Sequence, residues 1–195
     1  MPIEEGWTLL SIARAAIASV LQQPHAAADE SAAWLHETGA TFVTLTQRGQ
    51  LRGCIGTLQA HRSVLEDVKA NAVSASLRDP RFSPLPASEL PITDIEVSLL
   101  SPMQPIVFAS ESDALAQLRP LVDGVVFAFG RHRSTFLPQV WEQLPDARTF
   151  MAHLKQKAGL PASFWHPAVR LERYTVGKWK ESDLPRHHES NPVTP

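Results

Sequence analysis

The 195-residue chain is long enough for one large domain or two small lobes sharing a core, and 44% hydrophobic with 19% charged residues is the composition of a folded protein. A formal net charge of -2 excludes attachment to nucleic acid through bulk electrostatics, leaving room only for a local basic patch. No apolar run approaches the roughly 20 residues of a membrane span; the single cysteine, Cys54, excludes an intramolecular disulfide framework and a Cys-rich zinc or iron-sulfur site, and fits a reducing, cytoplasmic compartment.

Taken in chain order, Trp7 to Leu21 is preceded by Glu4 and Glu5 and carries Arg14 in its middle, which argues against a targeting segment. Leu9, Ile12, Ala13, Ala16, Ile17 and Val20 recur at three- and four-residue spacing, the buried stripe of a helix that stops before Pro24. Thr41 to Thr46 and Leu51 to Leu58 are β-branched and flank the short Gln47-Arg48-Gly49-Gln50, which predicts a hairpin. Ser63 with Glu66 forms a capping box that opens a helix through Leu77, with Leu65, Val68, Ala72 and Ala75 buried. From Asp79 to Pro91 the prolines exclude a helix or central strand and predict a stiff loop. Ile95, Val97 and Leu99 alternate with Asp94, Glu96 and Ser98, a strand with one wet face that Pro102 ends.

Ser112 to Leu118 reads as a short helix, and Gly124–Phe129 with Ser134–Leu137 as a second hairpin around Gly130-Arg131-His132-Arg133. Asp146 caps a helix bearing Phe150, Met151, Leu154 and Ala158, stopped by Gly159 and Pro161. Val169 to Lys178 reads as a last strand, and residues 181–195, with His187 and His188, as a polar tail. Hairpins separated by helices without a βαβα order predict an α+β fold, a mainly antiparallel sheet with flanking helices, in one domain over residues 1–180.

The chemistry-bearing segment is Leu51 to Leu58. Alternation places Arg52, Cys54, Gly56 and Leu58 on one strand face. Arg52 and Cys54 stand about 6.6 Å apart, close enough for the guanidinium to favour the thiolate or to bind an anion beside it. Gly56 is expected to leave an empty space on that face, and glycines inside a strand point to a bulge or a close approach. Against this stands the ordinary role of a lone cysteine as a small buried hydrophobe. His61, His132 and His153 are the candidate bases, none at a diagnostic spacing: His61 near one strand end, His132 at a solvated hairpin tip, His153 at a core edge. Arg78, Arg81, Arg131 and Arg133 could gather around an anion. Trp141, Trp165 and Trp179 are read as core residues. Walker, GxGxxG, HExxH and GxSxG patterns are absent, and no cofactor or metal is predicted.

Leu51-Arg52-Gly53-Cys54-Ile55-Gly56-Thr57-Leu58 resembles the signature of the AmmeMemoRadiSam system protein A family, the AMMECR-type domain. The resemblance continues through Asn71-Ala72, Asp79-Pro80-Arg81-Phe82, Glu96 to Pro102, Phe136 to Val140 and Lys157-Ala158-Gly159-Leu160, from about residue 8 to about residue 178. It implies two unequal lobes with a cleft lined by the signature strand, association with Memo-like and radical SAM proteins, and no assigned biochemical activity. Carried onto this chain, it marks Cys54 as the candidate catalytic residue and Arg52, Gly53, Gly56, Asn71, Arg78, Asp79, Arg81 and Gln139 as candidate ligand-binding residues. Asn71 lies toward the buried stripe of its helix, where an amide needs partners, so it is expected to tie the helix to a loop. Many prokaryotic relatives carry a second cysteine where this chain has Lys155, which argues against a two-thiol mechanism. Two functions follow: binding of a small polar or anionic ligand with Cys54-dependent chemistry, or a non-catalytic module that docks protein or RNA.

Overall fold

In the computed structural model, which describes residues 2–184, the turn Arg48-Gly49 sets the first sheet. Both residues have positive φ, +50° and +78°, so the two-residue turn follows the right-handed twist of its strands. It joins β1 (Thr38–Gln47) to β2 (Gln50–Gly56). The pairing is antiparallel, with a register shift between Leu45 and Thr46. The predicted capping box is present at Ser63 and Glu66. It follows the two-residue β3 (Arg62–Ser63) and opens α2 (Val64–Leu77).

Residues up to Leu99, together with the stretch from Gly177, form one of two compact units. Its sheet has the order β2-β1-β4-β9, with β4 spanning Asp94–Leu100 and β9 Val176–Lys180, and β3 pairs with β1. Helix α2 packs on β1 and β2, and α1 (Ile3–Val20) packs on α2. Gly6 admits α1 to β9, since a Cβ there would stand 2.3 Å from the Trp179 ring. The core gathers Leu9, Ile12, Ile17, Val43, Leu45, Val68, Ile95 and Val97 beneath the two helices. Val20, assigned to the buried stripe, is 44% exposed because it closes the last turn of α1, past the packed face.

The second unit, Leu100–Val176, is built on the sheet β5-β8-β6-β7. Its strands are β5 (Gln104–Ile106), β6 (Gly124–Phe129), β7 (His132–Phe136) and β8 (Arg170–Tyr174), all antiparallel. Helices α3 (Glu111–Ala116) and α4 (Ala147–Lys157) are capped by Ser110 and Asp146. Their core centres on Phe127, Phe150, Leu154 and Trp141, whose ring stacks on Phe150 at 3.7 Å. The α+β reading holds, with two sheets in place of one.

Four expectations are corrected. The single strand expected over Val169 to Lys178 is interrupted at Thr175, whose N–H and C=O bond Ser101, so the segment supplies β8 to one sheet and β9 to the other. The second hairpin turns at Gly130-Arg131 alone, because His132 already pairs with Phe129. His132 is therefore half-buried, its Nδ1 2.8 Å from the Ala158 carbonyl oxygen, where it meets the end of α4. Glu181, read as the start of a tail, accepts two hydrogen bonds from Arg14 and one from the Ile95 N–H, which anchors it to the sheet. His187 and His188 lie outside the described residues.

Candidate functional site

Strand β2 presents two chemically different faces. Gly53 and Ile55 stand opposite Leu45 and Val43, toward α2, whereas Cys54 and Gly56 stand opposite Thr44 and Phe42 on the other face. A Cβ on Gly53 would lie 2.2 Å from the Ala75 carbonyl oxygen, so this glycine exists to bring the strand against the helix backbone. Gly56 does not leave an empty space. The Phe42 ring occupies it, and a Cβ there would meet ring carbons at 2.1 Å.

Cys54 is half-buried. Its thiol accepts a hydrogen bond from Thr44 Oγ1 at 3.3 Å. Because Thr44 and Cys54 form a non-hydrogen-bonded pair, the Cys54 main chain points off the sheet edge, into the proline-bounded loop. There its N–H donates to Asp79 Oδ2 at 2.8 Å and its carbonyl accepts from Arg81 Nη2 at 3.2 Å. Arg81 grips Asp79 twice more, Nε to Oδ1 at 3.0 Å and Nη2 to Oδ2 at 2.7 Å. The loop thus covers an edge that would otherwise be open to another strand.

The Asp79 side chain is 2% exposed and that of Arg81 is 54% exposed. Hydrogen bonds from the Arg81 side chain, then from the Cys54 and Arg81 N–H groups, hold the Asp79 carboxyl well below the usual carboxylate range against the opposing effect of burial. Asp79 first, and Cys54 after it, hold Arg81 more firmly protonated than an isolated arginine. The guanidinium that bonds Cys54, through its carbonyl oxygen, is Arg81 and not Arg52. Although Arg52 shares the strand, it turns to Glu89 at 3.0 Å and to the carbonyls of Ser83 and Pro84 at 2.8 and 3.4 Å. Glu89 also accepts from Gln47 at 2.9 Å, so Arg52 and Gln47 fasten the loop.

Asn71 ties α2 to β1 and to the end of β2, through Thr41 O at 3.0 Å and Thr57 Oγ1 at 3.2 Å. It shares this work with Asp67, which the sequence reading did not single out. The Asp67 side chain is fully buried and accepts from Thr41 N–H, Thr41 Oγ1, Thr57 Oγ1 and Arg62 Nε, each at 2.7 Å, and from Asn71 Nδ2 at 2.9 Å. An acid one helical turn before Asn71, inside the apolar stripe, is the signal that points to it. Arg78 is exposed at the end of α2, and its side chain bonds no described residue. Gln139 is exposed on the 3-10 turn Pro138–Glu142 of the second unit.

None of the three candidate bases hydrogen-bonds Cys54 among the described residues: His61 Nδ1 is 3.0 Å from Gln59 O, His132 contacts Ala158, and His153 is exposed on α4. Lys155 is buried and donates to Glu111 Oε1 at 2.6 Å and Phe164 O at 2.9 Å. It joins α3 to α4. Among the described residues no group of three or more His, Cys, Asp or Glu is placed to hold a metal, and no helix is long and apolar enough to cross a membrane.

The family model of the AMMECR1 proteins matches residues 10–179. A protein of Methanothermobacter thermautotrophicus is 36% identical over 175 residues, covering 88% of this chain and 91% of that one. A protein of Methanocaldococcus jannaschii is 32% identical over 185 residues, covering 93% and 92%. The crystal structure of the uncharacterized protein PH0010 from Pyrococcus horikoshii matches with a TM-score of 0.74 at 28% identity over 94% of each chain.

Proposed function

The chain belongs to the AMMECR1 family, and from that premise we propose that it is an accessory protein of the AmmeMemoRadiSam type that binds a small polar or anionic ligand on the β2 face, against Cys54 and Arg81. One observation carries the reading: a half-buried cysteine is bonded through its carbonyl oxygen by a guanidinium whose own counterion, Asp79, is buried while it is itself 54% exposed. Asp79 fixes the position of Arg81 and leaves much of the guanidinium to solvent, where its remaining N–H groups suit a carboxylate or phosphate. Thr44 orients the thiol.

Contact with the ligand, rather than acid-base turnover, is the role proposed for Cys54, since its described hydrogen-bond partner is a hydroxyl. Memo-like and radical SAM proteins are the proposed functional associates, in a reducing cytoplasm.

The test is alkylation of the native protein with iodoacetamide, which reads one site because Cys54 is the only cysteine. Small carboxylates and phosphate esters are added in turn, and the one that slows labelling identifies the ligand class. Arg81→Ala removes the protection. Labelling that no anion alters would overturn the ligand reading and favour a protein- or RNA-docking module.

A further inference from the structure

The second unit carries a cavity of about 380 Å³ on its sheet, within the size range of small-ligand sites. Its polar lining is Arg133, Arg170 and Glu172, and its apolar wall includes Val107, Phe108 and Pro167. The strand register explains the convergence. Ala128 on β6 stands opposite Arg170 on β8 and opposite Arg133 on β7, so the two arginines flank one small side chain on a single face. Two strand spacings separate them, on the order of 10 Å between Cα atoms, and the methyl of Ala128 leaves the space between them low.

The two guanidiniums are differently engaged. Arg133 makes a loose pair with Glu172 at 3.6 Å, and Arg170 is exposed with a side chain that bonds no described residue. One carboxylate against two guanidiniums leaves an excess of one positive charge. Beside it Val107 is 86% exposed, one residue past the Ile106–Leu171 pair and therefore level with Arg170. An exposed valine next to an uncompensated arginine is a surface for a ligand that is apolar at one end and anionic at the other.

We propose that this cavity binds a small dianion joined to an apolar or ring group, of the phosphate-ester or dicarboxylate kind. The dianion is held above Ala128 between Arg133 and Arg170, and its apolar part rests on Val107, Phe108 and Pro167. The site lies wholly within the second unit and is independent of the Cys54 reading.

The test is an NMR titration of the full chain with phenyl phosphate, phthalate and inorganic phosphate. Amide shifts at Ala128 and Arg170 are expected with phenyl phosphate or phthalate, the tighter of the two naming the source, and weaker binding of inorganic phosphate. Arg133→Ala and Arg170→Ala, both at exposed side chains, each weaken binding by about tenfold, and Glu172→Gln tightens it by freeing Arg133. Absence of binding by the unmodified chain overturns the proposal. So does binding that survives both arginine substitutions, or binding lost only in Arg81→Ala, which would move the anion to the Cys54 site.

Discussion

Two aspartates flank β2, and each is buried with an arginine and a backbone N–H as partners, yet they do opposite things. Asp67 is closed: five donors from β1, the end of β2, β3 and α2 itself saturate it. Asp79 is open on one side, because the arginine that covers it is 54% exposed and also faces Cys54. The arginine on Asp67, Arg62, is 30% exposed, whereas the arginine on Asp79, Arg81, is 54% exposed. Between these two aspartates the difference therefore lies in the exposure of the partner, not in the burial of the acid.

The comparison is broken most severely at the fastener. Asp67→Ala leaves Arg62 and Asn71 without their shared acceptor, and a loss of about 3–5 kcal/mol is expected from urea unfolding. A loss below about 1 kcal/mol would mean the network is not what ties α2 to β1. Gly53→Ala comes next, at about 1–3 kcal/mol, since its Cβ must displace the Ala75 carbonyl. An unchanged urea midpoint would show that the strand and helix can separate freely.

Asp79→Asn sharpens the contrast through pH. The folded-state pKa of Asp79 is depressed. Its contribution is therefore complete above the unfolded-state value of about 3.9 and is lost as pH falls from there through the folded-state value. The Asp79→Asn variant should be less stable than the unmodified chain at pH 7, and the gap between them should close as pH drops below about 4. A gap constant with pH would show that the Asp79 charge plays no part in holding the loop. The smallest effect belongs to Arg78→Ala, within about 0.5 kcal/mol, because the side chain is exposed and bonds nothing described.

Local signals carried much of this into the sequence. The capping box at Ser63, the cap of α4 and the first hairpin are all decided within a few residues, by spacings that a chain displays openly, whereas the partners of Asn71 lie on β1 and at the end of β2 and not on the expected loop alone. What stayed hidden depends on cross-strand and long-range partners. That Phe42 fills the space over Gly56 follows from register, and that Arg52 turns away from Cys54 follows from where Glu89 and Ser83 come to lie. The division of Val169 to Lys178 between two sheets is set by the bonds of Thr175 to Ser101, a partner far along the chain. Of the nine residues singled out, Cys54, Asp79 and Arg81 form one cluster. Arg52, Gly53, Gly56 and Asn71 build the frame around it, Arg78 is exposed at the end of α2, and Gln139 stands in the other unit.

The most direct measurement is the iodoacetamide labelling rate of Cys54 at fixed pH, with and without the protecting anion, in the unmodified chain, Arg81→Ala and Arg52→Ala. The anion is expected to slow labelling in the unmodified chain, to do so still in Arg52→Ala and to have no effect in Arg81→Ala. Protection that survives Arg81→Ala and disappears in Arg52→Ala would contradict this, returning the ligand's charge partner to the strand itself.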